Sequence, residues 1–356
     1  MKSPIKLIIS LLFITLVLSG CLINVKTTGG GFSDGGVFVS GNSGDDWQQI
    51  SLIYRVSDVE KTFSNVDLTA MVMDPLDNKA IYIATHDQGL FYTYDAGAGW
   101  HQTLQDKGRI NALAISPSES CIIYAAISNR VYKSVDCNRH WDYKLIESRA
   151  DPDNQITSLA IDNYNTNVIY AGTSGKGLFR SDDGGYSWHV VKFFNDRVDK
   201  VLILPANNQV IYVVTASQGI FKTADQGESW LEVFDEAMKK EYGNLLTYRD
   251  LILDPTVEDG LFYACNYGLF RSADGGAAWK NIDLLTPPNT AVIYSLAINP
   301  QNGQEIYYGI DTLLYRSEDG GANWITRTLP TSRAAKYLIA DPRQSARVYL
   351  GVKKIK

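Results

Sequence analysis

All seven tryptophans of this 356-residue chain close copies of one eight-residue pattern, Ser/Thr-x-Asp-x-Gly-x-x-Trp. The copies are Ser40–Trp47, Thr93–Trp100, Ser134–Trp141, Ser181–Trp188, Thr223–Trp230, Ser272–Trp279 and Ser317–Trp324, with successive tryptophans 53, 41, 47, 42, 49 and 45 residues apart. A turn motif recurring every ~40–50 residues is one small sheet per unit, and such a sheet buries its faces only against its neighbours. The repeat predicts an all-β, seven-bladed β-propeller of four-stranded antiparallel blades.

A second repeat runs in phase with the first. An apolar residue followed by tyrosine recurs at Ile81-Tyr82, Ile123-Tyr124, Ile169-Tyr170, Ile211-Tyr212, Phe262-Tyr263, Ile306-Tyr307 and Val348-Tyr349. Each unit then reads as strand A before a proline-type turn, B through the tyrosine, C before the box and D after the tryptophan. The first recognisable strand is of type C, Val37 to Ser40, and the last of type B, Val348 to Val352. N-terminal strands C and D joined to C-terminal strands A and B make one composite blade, which closes the ring and leaves no bare edge.

The box has a turn's chemistry. Its aspartates (Asp95, Asp136, Asp183, Asp225, Asp274 and Asp319) can accept from nearby backbone N–H groups, and its glycine supplies positive φ. Asn42 replaces aspartate and still accepts; Asn138 replaces glycine and tolerates the left-handed region. Trp47, Trp100, Trp141, Trp188, Trp230, Trp279 and Trp324 are read as structural wedges opening strand D.

Residues 1–20 read as a leader, with Lys2 and Lys6 ahead of the apolar run Leu7 to Leu18. Leu18-Ser19-Gly20-Cys21 resembles the bacterial lipobox, which implies acylation of Cys21 and a stable membrane anchor. Residues 21–33 then form a lipidated cysteine and flexible tether, and 34–356 the propeller. The expected location is the bacterial cell envelope, outside the cytoplasm, on the cytoplasmic or outer membrane. Formal charge is −6 and no lysine/arginine block occurs, which disfavours nucleic-acid partners. A monomer is expected.

Cys121 and Cys137 straddle a hairpin read as Ile122–Ile127 and Val131–Val135 with its turn at Ser128–Arg130, so a disulfide is plausible outside the cytoplasm. Cys265 reads as a buried small hydrophobe.

Box, tyrosine strand and period together resemble the Asp-box (BNR-repeat) propellers over essentially the whole mature chain. Sialidases, xyloglucan-active glycoside hydrolases, sortilin-type receptors and photosystem II assembly propellers share that repeat. The sialidase Phe/Tyr-Arg-Ile-Pro motif is absent, and Arg180, Arg271 and Arg316 are repeat features shared with Lys133 and Lys222. Thr85-His86-Asp87-Gln88-Gly89 loosely resembles the xyloglucanase stretch that carries a catalytic aspartate, which makes Asp87 the candidate for a hydrolase reading. The assembly-factor units favour a Gly-Trp pair in strand B that this chain lacks.

One strand-A position varies from unit to unit: Thr69, Asn111, Thr157, Asp199, Arg249, Tyr294 and Lys336. Asp199, Arg249, Tyr294 and Lys336 are therefore candidate ligand-binding residues at the axial mouth. Two D–A connections are long, Ser51 to Asn65 and Phe234 to Leu246. The second suggests a short helix with Glu236–Lys240 pairing, and together the two are expected to flank a binding face around Tyr54, Phe63, Tyr242 and Tyr248. The four histidines are scattered, no metal cluster or phosphate loop stands out, and no cofactor is implied. The reading is a lipid-anchored, non-catalytic binding or assembly scaffold for a protein or glycan partner. The alternative is a carbohydrate-active glycoside hydrolase.

Overall fold

The computed structural model describes residues 34–354, apart from 55–59, 148–153, 176 and 195. The leader, Cys21 and the tether lie outside the described residues. Among those residues there are seven four-stranded antiparallel sheets, a two-stranded ribbon (Leu52–Ile53 with Lys61–Thr62) and one helix, Glu236–Glu241.

The sheets form the seven blades of a β-propeller. Their first strands are Leu68–Met73, Ile110–Ile115, Ile156–Ile161, Val198–Ile203, Tyr248–Leu253, Ser295–Asn299 and Ala334–Ala340, numbered here as blades one to seven. These strands surround the axis, and that of blade seven lies against that of blade one. Blade seven is the composite: Val37–Ser40 pairs with Val348–Lys353, Phe38 opposite Leu350 and Ser40 opposite Val348. Both ends of the chain thus supply strands to one sheet, and the ring has no open edge.

The core lies between blades. Tyr170, Leu178 and Phe194 of blade three pack on Val198, Val201 and Ile211 of blade four. Strand B is buried on both faces, as in Ile81–Thr85 and Ile169–Thr173, because it meets a neighbouring blade on either side. Gly172 is required there, since a Cβ would stand 2.3 Å from Val198 of the next blade.

The boxes form one repeated turn. In blade three, Ser181 Oγ donates to Asp183 Oδ1 (2.8 Å) and accepts from Gly185 N (2.8 Å), while Ser187 donates to the same carboxylate through N and Oγ. Two successive residues take positive φ, the fourth and fifth of each box, as at Gly184 and Gly185 or Ala96 and Gly97. The fourth residue donates its N–H to the A–B turn of its own blade: Ala96 to Lys79 O, Gly184 to Asn167 O and Gly275 to Asp259 O. Boxes and A–B turns therefore share one face of the ring. Starts of strand A and B–C turns share the other, as Leu68 opposite Thr85 shows.

Several expectations need correction. Only Trp100 is fully buried; the other six tryptophans are partly buried at the blade edge. Trp100 is covered because the segment after blade seven returns over it. Its N–H donates to Leu52 O at 3.0 Å, and Phe63 packs edge-on at 5.2 Å. That segment also removes Tyr54 and Phe63 from any shared face with Tyr242 and Tyr248. Phe63 is core, and the Tyr54 hydroxyl donates to the box carboxylate of Asp95. In blade five it is Phe262, paired with Arg271, that occupies the tyrosine's place in strand B; Tyr263 is one residue further on. The Cys121–Cys137 hairpin runs Ile123–Ile127 and Arg130–Ser134 around a two-residue turn, because Ser128 takes a φ of 55°. Cys121 and Cys137 are disulfide-bonded with Cα atoms 4.1 Å apart, and Cys265 is free and buried. In the helix, Lys239 rather than Lys240 pairs with Glu236, at 2.9 Å, and also with Glu232 at 2.8 Å.

Candidate ligand-binding site

The variable strand-A position is a β-bulge. In blade one Leu68 pairs with Thr85 and Ala70 with Ala84, so Thr69 is the extra residue. The same slip leaves Asn111, Thr157, Asp199, Arg249 and Lys336 unpaired in blades two, three, four, five and seven. Tyr294 stands directly ahead of Ser295, the first paired residue of blade six. An extra residue turns two consecutive side chains toward the side that alternation would give to one.

The six bulge positions and Tyr294 converge. Thr69, Asn111, Thr157, Asp199, Arg249, Tyr294 and Lys336 all line one cavity of about 570 Å³, and each is followed there by its neighbour, including Lys200, Asp250 and Tyr337. Arg109, just before blade two, and Lys353, at the end of strand B in blade seven, line it as well. Alternation along strand A does not reveal Lys200, Asp250, Arg109 or Lys353. The available signal was the polar doublet (Asp199-Lys200, Arg249-Asp250) opening an otherwise apolar strand. Leu113, Leu159, Leu202 and Leu338 wall the cavity beside these groups.

Not every bulge side chain is free for a ligand. Thr69 Oγ1 donates to Ile110 O at 2.5 Å and Thr157 Oγ1 to Val198 O, so both tie their blade to the next. Arg197 grips Asp199 at 2.6 and 3.1 Å, Lys200 holds Asp250 at 2.7 Å, and Arg249 Nε donates to Asn266 Oδ1 at 2.7 Å. Burial raises the Tyr294 phenol, with Asp311 adding to it. For Lys336, burial and the nearby Lys353, Arg249 and Lys200 outweigh Asp250 and pull the ammonium below the ordinary lysine value. Asp87 stands apart from this cavity, exposed in the B–C turn of blade one on the same face of the ring.

The strand-C cations face away from the axis. Lys133 donates to Gly184 O (3.0 Å), Lys222 to Gly275 O (2.9 Å) and Arg316 to Ser43 O (2.8 Å), each in the box of the following blade. Arg180 reaches Gln226 in the next box at 3.2 Å. Arg271 instead binds Asp254 of its own blade at 2.6 Å, in the blade where Phe262 offers no hydroxyl.

No family model and no curated protein matches the chain. Among solved structures it is similar to the GH74 xyloglucanase from Xanthomonas campestris (18% identity, TM-score 0.68, 81% of this chain and 51% of that one). It is also similar to YCF48 bound to D1 peptide (15%, 0.58, 82% and 93%). A third is the extracellular domain of the hybrid two-component system BT4673 from B. thetaiotaomicron (16%, 0.60, 85% and 39%). The chain thus spans about half the length of the xyloglucanase. Identities this low establish a shared fold and leave activity to be argued from the site.

Proposed function

We propose that this protein is a non-catalytic binding or assembly module that takes a protein or glycan partner at the axial mouth where the strand-A bulges converge. The observation carrying this reading is that one strand-A position, a bulge in six of the seven blades, delivers a side chain from every blade to a single cavity. Such a site offers shape and charge for recognition. The module acts as a monomer held outside the cytoplasm of a bacterium by a lipid on Cys21. Support for that anchor is the sequence from Lys2 to Cys21.

A second reading, glycoside hydrolysis, draws on two carboxylates, Asp199 and Asp250, lining the same cavity. Glycosidases of the usual kind need one carboxyl to give a proton and another to act as base or nucleophile. Here each is already gripped by a cation, at 2.6 and 2.7 Å, which leaves the pair poorly suited to those roles. Asp87 lies too exposed and apart to supply a partner carboxyl.

The test is to screen residues 33–356 against a polysaccharide panel that includes xyloglucan and against solubilised envelope extract. Binding without hydrolysis, lost in Arg249→Ala/Tyr294→Ala, supports the module. Release of reducing sugar, abolished by Asp199→Asn or Asp250→Asn, supports the hydrolase.

A further inference from the structure

The axial mouth gathers five cations, Arg109, Lys200, Arg249, Lys336 and Lys353, against two carboxylates, Asp199 and Asp250. This is the reverse of the chain's formal charge of −6. The two carboxylates are also largely spent, Asp199 on Arg197 from outside the cavity and Asp250 on Lys200. Arg109, Arg249, Lys336 and Lys353 are left without a carboxylate partner among the described residues. Arg249 keeps one amide contact and Lys336 one carbonyl contact, Tyr294 O at 3.5 Å.

Arg249, Lys336 and Lys353 are partly buried, with exposed Arg109 beside them; partly buried like charges without a carboxylate partner repel one another and cost free energy that an incoming anion relieves. Low-dielectric walls strengthen that attraction, and a cleft lined by one sign of charge focuses it. The guanidinium of Arg249 supplies a planar fork suited to oxygen anions, and the lysines supply movable point charges.

We propose that the axial mouth is an anion-binding site for a compact oxyanion bearing two or more negative charges. A phosphoryl group and a cluster of carboxylates share that chemistry. The inference rests on the proposed binding role and specifies which chemical group of the partner enters the cavity.

The experiment is isothermal titration of the full chain with inorganic phosphate and, separately, with citrate at low ionic strength. The expected result is one saturable site. Lys336→Met and Arg249→Gln each weaken it by about tenfold or more, the loss of one charge-assisted contact, while Lys144→Met on an exposed outer strand leaves it unchanged. Lys353→Met, at a strand end, gives the same weakening without touching a bulge. Tighter phosphate points to a phosphoryl source and tighter citrate to a carboxylate source; either supports the site. Absence of saturable binding, or variants that bind as tightly as the parent, overturns it. A partner still captured by Lys336→Met/Arg249→Gln, with neither anion bound, overturns this inference and leaves the binding role intact.

Discussion

The Tyr124 hydroxyl of blade two donates to the Gly184 carbonyl inside the box of blade three, at 3.2 Å. Lys133 Nζ reaches the same oxygen from 3.0 Å, and Tyr212 with Lys222 repeats the pair on Gly275 at 3.1 and 2.9 Å. The box is therefore a receptor as well as a turn. In blades two, three and four the two in-phase repeats, the tyrosine of strand B and the box, meet across the blade boundary and tie one sheet to the next. That fastening lies on the face opposite the bulges, so one face carries stability and the other is free to vary.

Removing one donor should cost little and removing both should cost more. Tyr124→Phe is expected to lose about 1 kcal/mol, because Lys133 still satisfies the carbonyl. Tyr124→Phe/Lys133→Met leaves Gly184 O without either donor and should cost more than the two single losses added together. Urea unfolding midpoints check this. Strict additivity would mean the two contacts are independent.

The tryptophans should divide by burial. Trp100→Ala empties a site with no exposure, beneath Phe63, and is expected to cost about 3–5 kcal/mol. Trp188→Ala, partly exposed at a blade edge, should cost about half as much. Both should lower the melting temperature. An unchanged melting curve for Trp188→Ala together with lost ligand binding would contradict its structural role.

Acid should unfasten the boxes. Hydrogen bonds from His140, Ser187 and Asn323 hold Asp136, Asp183 and Asp319 down to about 2. Asp225 and Asp274 are lowered by Ser229 and Ala278; at Asp95, bonds from Thr93 and Tyr54 outweigh burial. A carboxyl whose folded pKa lies below its unfolded one stabilises fully above the unfolded value and loses that contribution as pH falls toward the folded one. The melting temperature should thus be insensitive to these groups near neutrality and fall as pH drops from the ordinary aspartate value of 3.8 toward about 2. Asp183→Asn should shrink that acid-side drop, and a parent-like drop would remove Asp183 from the account.

What the sequence revealed followed local chemistry. Ser, Asp, Gly and Trp at fixed offsets specify a turn whatever surrounds it, so the boxes, blade count and composite closure were legible. Features set by neighbouring strands were less so. The slip at Leu68, Thr69 and Ala70 leaves no mark in apolar alternation, so only the first residue of each axial pair was found and Lys200 and Asp250 were missed. Ser128 shifted a hairpin by one residue through its backbone angle alone. The burial of Phe63 depended on a connection folding back over Trp100, which spacing does not encode.

Hydrogen–deuterium exchange of the intact chain tests most directly the claim that both termini complete one blade. The pairing of Val37–Ser40 with Val348–Gly351 predicts amide protection in both segments comparable to that of the interior strand Ile169–Thr173. Rapid exchange in either terminal segment, with Ile169–Thr173 still protected, would contradict the closed ring and the axial site built on it.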